Sequence, residues 1–191
     1  MKKGHHRRKV GESMGDIANP SEEHQMLREM IRGFTHEFVE PQAHEFDKKE
    51  QFNLDLFRQL GELGLLGITV PEEYGGSGLD AVAATIAHEE LSYSDPGFTL
   101  AYLAHSMLFV NNLAQNGSEK QKNRILPKVC SGEWIGAMAM SEPDAGTDVL
   151  GLSTTAKQND SGDWILNGRK MWITNGCIDD QGTPADIVWV Y

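Results

Sequence analysis

What this sequence lacks narrows it first. No apolar run comes near the roughly 20 residues that a membrane-spanning helix needs, so no membrane span is expected. Only two cysteines occur, Cys130 and Cys177, far apart and outside any metal-ligand or redox spacing. Free thiols in a reducing compartment are the expectation. The seven histidines do not cluster. "HEELS", from His88, lacks the second histidine of a zinc helix, and no G-x-S-x-G elbow marks a serine nucleophile. Metal binding is therefore not expected.

Positive charge is also scarce. Seventeen basic residues face 28 acidic ones, for a net charge of -11. Such a chain repels phosphate backbones, and no nucleic-acid partner is expected. The head "MKKGHHRRKV" is the exception, with five of the basic residues and no acid. It has no apolar centre and does not read as a secretory signal. A solvated, disordered tail over residues 1–19 is expected, with a nucleic-acid arm, a remnant of a targeting presequence and an upstream leader as alternatives. Asn116 opens an N-G-S sequon with no secretory signal to support its use.

What is present divides in two. Residues 20–132 read as a helical domain and residues 133–191 as strands. Ser21 can cap a helix running to about Asp47, along which Met26, Leu27, Met30, Ile31, Phe34 and Phe38 recur at helical spacing. Pro41 is expected to kink or interrupt its far end. Asn53 caps the next helix, with Leu54, Phe57, Leu60 and Leu63 on one face. A third helix spans Leu79 to Ser94. A fourth, "PGFTLAYLAHSMLFVNNLAQNG", is apolar nearly all round and so should be buried. Its His105, Ser106, Asn111 and Asn112 then need partners inside the protein. Ser118 and Gln121 form a capping box for a fifth helix. From Trp134 the period falls to two: "WIGAMAM" is a strand, two more flank a turn at Gly162, and "ADIVWVY" starts another. A chain that stops at Tyr191, inside an apolar strand, reads as a fragment with an unfinished β-domain.

Two motifs mislead. "GSGLDA" (Gly76–Ala81) fits a loose dinucleotide-binding pattern, but Pro71 and two glutamates precede it and no parallel βαβ unit follows; an interhelical loop is expected. Glu142 and Asp144 look like an acid/base pair, yet i, i+2 carboxylates around a proline need not converge on one atom. A turn-stabilising or backbone-capping role is expected for Glu142.

"VPEEYGGSGLD", "EKQKNRILPKVCSGEW", "AMAMSEPDAGTD" and "WILNGRKMWITNG" occur in that order. This set resembles the acyl-CoA dehydrogenase family, nearest to its short- and branched-chain, isovaleryl-CoA dehydrogenase-like members, over about Ser21 to Tyr191. The resemblance implies an α+β fold: an N-terminal all-helical domain, then a β-barrel-like middle domain of which only the first strands are present. The family's C-terminal four-helix domain would be absent. It further implies an FAD cofactor and oxidation of an acyl-CoA thioester to the 2,3-enoyl-CoA. A glutamate takes the α-proton, the β-hydride passes to flavin N5, and electron-transfer flavoprotein is the acceptor. The full-length protein would be a homotetramer, cytoplasmic in a bacterium and in the mitochondrial matrix in a eukaryote.

Carried over by position, Met138 and Met140 would set backbone groups beside the flavin ring, and Ser141 would offer its N–H and hydroxyl to the N1/O2 edge. Trp172, Ile173 and Thr174 match the family's W-I-T element, with Trp172 on the flavin face and Thr174 near N5/O4. Thr147, where the family usually has serine, would contact cofactor and the CoA part of the substrate. The polar "CIDDQGTP" after Gly176 is longer than usual and reads as a surface loop. The family's catalytic glutamate lies in the C-terminal domain, so no catalytic residue is expected in this chain, nor activity from it alone. An acyl-CoA oxidase-like flavoenzyme and a non-catalytic relative acting as a binding module are the alternatives.

Overall fold

A computed structural model describes residues 18–191. All but the last two residues of the basic tail lie outside the described residues. Those two are tied down: Arg28 donates to the Asn19 side chain at 2.7 Å and to the Ala18 carbonyl at 3.2 Å.

The helices start where short polar side chains can receive free backbone N–H groups. α1 (Glu22–Phe34) is capped by Ser21, and α3 (Leu54–Glu62) by Asn53. α4 (Ala81–Ser92) is capped by Asp80 and α5 (Pro96–Leu103) by Asp95. α7 (Glu119–Cys130) carries the full Ser118–Gln121 capping box. The first helix does not break at Pro41. It widens into a π-turn at Thr35–Val39 and continues as α2 (Glu40–Lys49). The Glu40 N–H reaches back five residues to the Thr35 carbonyl. Winding wider just before a proline moves the preceding carbonyls away from its ring.

Only half of the α1 stripe is used. Ile31 is sealed, Leu27 and Phe34 pack against the core, and Met26, Met30 and Phe38 face solvent. On α3 the buried face takes Leu56 with Phe57 and Leu60, and leaves Leu63 exposed. "GSGLDA" is a compact connector: the Ser77, Gly78 and Leu79 N–H groups bond back to the carbonyls of Gly67, Val70 and Ile68.

The central helix runs as α5, a π-segment (Ala104–Asn111) and α6 (Asn112–Asn116). Each of its inward polar groups has a partner. Ser106 bonds the Tyr102 carbonyl, the acceptor its own N–H would use in a regular helix. Asn111 accepts from Thr69, and Asn112 donates to the Tyr191 hydroxyl. The Tyr102 hydroxyl bonds the Leu65 carbonyl. Between α1 and α4, Glu90 receives both Arg28 and Arg32. Burial alone would raise its carboxyl, but the two guanidinium hydrogen bonds outweigh that and hold it low.

The strand region forms two separate ribbons. β1 (Gly136–Ala139) pairs in parallel with β4 (Ile187–Val190), Gly136 opposite Ile187. β2 (Thr155–Gln158) and β3 (Trp164–Asn167) form an antiparallel hairpin exposed on both faces. Gly162 sits in its turn at φ 87°, a conformation that side chains resist. The "CIDDQGTP" segment is more than a polar surface loop. It closes on itself through Ile178 N–H to Thr183 O and Ala185 N–H to Gly176 O, and Ile178 is buried in the helical core. No helix of the described residues is long and apolar enough to cross a membrane.

Candidate cofactor-binding site

β1 lies against the π-segment of the central helix and turns Ala137 and Ala139 inward, with Met138 half-buried between them. Its backbone has two different edges. The carbonyls of Ile135 and Ala139 accept from Ile187 and Tyr191 of the β4 side. By alternation, the backbone groups of Gly136, Met138 and Met140 face the other edge. Two of them have partners that mark that edge. Gly136 N–H donates to His105 Nδ1 at 3.0 Å, and the Met140 carbonyl accepts from Lys170 Nζ at 2.9 Å. Met138 lies between them, on the open stretch.

His105 fixes where this strand begins. It is wholly buried, and its Nε2–H donates to the Val129 carbonyl at 2.9 Å while Nδ1 accepts from Gly136. Both ring nitrogens are thus committed to a neutral tautomer, and desolvation pushes its pKa down to about 4.

After β1 the chain reverses in a tight turn, Glu142 and Ala145 exchanging both backbone hydrogen bonds. Glu142 is 6% exposed and fully engaged. One oxygen accepts from the Ser153 N–H and hydroxyl, each at 2.7 Å. The other accepts from Thr154 N–H at 2.9 Å and from Lys170 Nζ at 2.8 Å. The Lys170 ammonium, followed by these hydrogen bonds, holds the carboxyl far below the usual carboxylate range. Glu142 is therefore a scaffold group.

The W-I-T segment is brought to the same place. Met171 N–H donates to the Ser141 carbonyl at 3.0 Å, one residue before Trp172. Trp172 is 83% exposed and holds φ 60°, a strained conformation for a bulky side chain. Asn175 repeats it at φ 63° and anchors the far end, its Nδ2 donating to the Ala101 carbonyl at 2.9 Å. Ile173 and Thr174 lie half-buried between, with the Ile173 carbonyl taken by Gly176 N–H. Six of the seven predicted residues, Met138, Met140, Ser141, Trp172, Ile173 and Thr174, therefore sit on two segments that are hydrogen-bonded together. Thr147 stands apart, exposed beyond the turn and without a side-chain hydrogen bond among the described residues.

This arrangement fits a planar ligand with an apolar face and a polar rim. The Ser141 carbonyl is spent on Met171, which leaves its N–H and hydroxyl without a protein partner among the described residues. Trp172, one residue beyond Met171, holds its indole out into solvent. Lys170, Asn175 and His105 were not singled out as site residues by sequence. Their signals are slight: a lysine inside the motif that carries Trp172, an asparagine before a glycine, and a histidine in an apolar helix.

Comparison with known proteins gives the family context. The family described as "Acyl-CoA dehydrogenase, N-terminal domain" matches residues 21–133, and "Acyl-CoA dehydrogenase, middle domain" matches residues 137–183. Mitochondrial isovaleryl-CoA dehydrogenase of Pongo abelii is 46% identical over 173 residues, which cover 90% of this chain and 39% of that protein. The chain thus spans well under half the length of this curated relative. The acyl-CoA dehydrogenase of Bacillus anthracis, solved in complex with FAD, is 38% identical with a TM-score of 0.78, over 90% of this chain and 28% of that one. A chain from the structural work on the electron transferring flavoprotein of Acidaminococcus fermentans is 38% identical with a TM-score of 0.80, over 86% of this chain and 43% of that one.

Proposed function

The chain belongs to the acyl-CoA dehydrogenase family, and from that premise we propose that it supplies the helical wall and the flavin-facing segments of an FAD-dependent enzyme. That enzyme oxidises an acyl-CoA thioester to the 2,3-enoyl-CoA. The observation that carries the reading is the joining of the Met138–Ser141 edge to the strained, exposed Trp172 loop. FAD, when bound, accepts the β-hydride of the substrate. Ser141 donates its N–H and hydroxyl to the ring edge, where fixed donors favour the build-up of negative charge. Met138 adds backbone groups from the open edge, Trp172 covers a ring face, and Ile173 and Thr174 border it. Thr147, on its exposed loop, contacts the CoA part of the substrate.

The base that removes the α-proton is not Glu142, whose two oxygens are already filled. It comes from outside these 191 residues. The whole enzyme passes its electrons to electron-transfer flavoprotein, a partner suggested by the Acidaminococcus neighbour. It assembles as a homotetramer and works in the mitochondrial matrix of a eukaryote or the cytoplasm of a bacterium.

The purified chain tests this directly. Added FAD should move the Trp172 indole signal in an NMR titration, weakly but saturably, while acyl-CoA-dependent dye reduction stays at background. A Trp172 signal that ignores FAD would sink the assignment of flavin to this face. Dye reduction by the 191 residues alone would sink the assignment of the base elsewhere.

A further inference from the structure

β1 and the β2–β3 hairpin belong to different sheets, with no strand pairing between them. Something else must set their relative position, and with it the distance between Ser141 and the Trp172 loop. Lys170 is the group placed to do so. Its ammonium lies between the Met140 carbonyl at 2.9 Å and Glu142 Oε1 at 2.8 Å. Both charged side chains are nearly sealed, 10% exposed for Lys170 and 3% for Glu142. At the far end, Glu142 grips the entry to β2 through Ser153 and Thr154. Gly168, two residues before the lysine, lies so close to Thr154 that a Cβ there would collide with its Oγ1. The lysine therefore enters a fixed slot from a fixed turn.

We propose that Lys170 is a positioning residue: a crossbar between the end of β1 and the hairpin that fixes Ser141 and Trp172 relative to one another. The proposal rests on reading this face as the flavin site, but the crossbar itself is a property of the chain. A buried ion pair by itself is weak grounds for stability, since pairing in the interior barely repays the loss of hydration. What distinguishes Lys170 is its second bond, to a main-chain carbonyl one residue before Ser141. A simple charge partner would not need that bond.

Three variants separate the two roles: Lys170→Met, Lys170→Arg, and the double Glu142→Gln/Lys170→Met. The double variant leaves no buried unpaired charge but still lacks the crossbar. Two signals report on position: hydrogen-exchange protection of the Met171 amide, which bonds Ser141, and the NMR shift of the Trp172 indole. We expect Met171 protection to fall about tenfold in Lys170→Met and equally in the double variant, the loss of about one hydrogen bond's worth of closure. The indole signal should move in both. Lys170→Arg, which keeps a cationic donor, should recover part of the protection. Far-UV ellipticity monitors the helices, which hold neither residue, and guards against global misfolding. Protection and indole shift restored in the double variant would overturn the proposal, leaving only charge neutralisation. FAD titration of the same samples separates the two readings. If the wild-type indole ignores FAD while Lys170→Met still loosens Met171, the flavin reading fails and the crossbar stands. If the wild type responds to FAD and the double variant keeps Met171 closed, the crossbar fails and the flavin reading stands.

Discussion

Phe57 and Trp164 are both large aromatic residues in regular elements, yet they live in different environments. Phe57, on α3, has no exposure and touches the rings of Phe52, Phe98 and His105 at centroid distances of 5.3, 6.1 and 5.5 Å. Trp164 opens β3 at 66% exposure, with Ile165 and Leu166 exposed beside it. The helices are held by buried apolar surface. The β2–β3 hairpin and the Trp172 loop are held instead by polar ties: Glu142 to Ser153, Thr154 and Lys170, and Met171 to Ser141. A strained residue such as Trp172 persists only where its surroundings over-determine it, and here the Met171 and Asn175 bonds on either side do so.

The sharpest way to break that comparison is to truncate both aromatics. Phe57→Ala should cost about 3–5 kcal/mol, the transfer term plus a cavity that the surrounding rings cannot fill. Trp164→Ala should cost less than about 0.5 kcal/mol, because little apolar surface leaves water at that site. Urea unfolding followed by far-UV ellipticity measures both. Comparable losses would mean that the hairpin carries hidden core contacts and that the two regions do not differ as described.

The seam between the regions gives a smaller effect with a defined pH window. His105 is neutral in the fold, with its pKa pushed down to about 4 against an ordinary 6.5. Between those values the unfolded chain takes up a proton that the folded chain refuses. Stability is therefore fully present above about pH 6.5 and is lost as pH falls toward 4. By pH 5 the loss should reach about 2 kcal/mol. The buried carboxylates Glu90 and Glu142, both held low, add their own losses only nearer the acid range. In His105→Gln, which can still accept from Gly136 and donate to Val129, the slope between pH 6.5 and 5 should vanish. A slope that survives the substitution would place the titrating group elsewhere.

How much of this was legible in the sequence depended on distance along the chain. Ser21, Asn53 and the Ser118–Gln121 box announce helix starts because each caps an N–H only three residues away. The need of His105, Ser106, Asn111 and Asn112 for partners was also legible, because polar groups in an apolar helix cannot go unpaired. Apart from Tyr102, four residues from Ser106, the identity of those partners was not: Val129, Gly136, Thr69 and Tyr191 lie between 24 and 79 residues away. The parallel pairing of β1 with β4 was hidden for the same reason, with about fifty residues between the strands. The π-segment of the central helix was hidden because a helix apolar nearly all round has no stripe whose rotation a wider turn could reveal. At the site, the motif residues were named by resemblance, while the groups that join the two motifs, Lys170 to Met140 and Glu142, required coordinates.

One lost hydrogen bond in each region gives the finest test. Ser118→Ala removes the hydroxyl half of a capping box, and the α7 N-terminus should lose about 1 kcal/mol. Because α7 carries Leu126, Val129 and Cys130 into the core, that loss should appear in the melting of the whole helical region. Asn175→Gly removes a bond of similar worth, from Nδ2 to the Ala101 carbonyl, while tolerating φ 63°. It should leave the helical melt within about 0.5 kcal/mol of wild type, since Asn175 is only half-buried and bears no core side chain. Its effect should instead be local: faster exchange of the Gly176 amide, which closes the turn onto Ile173, and a broadened Trp172 indole signal. Equal effects of the two substitutions on the melt would show that the Trp172 loop is part of the same cooperative unit as the helices. The strained indole would then be held by the fold as a whole, and no longer by its two local anchors.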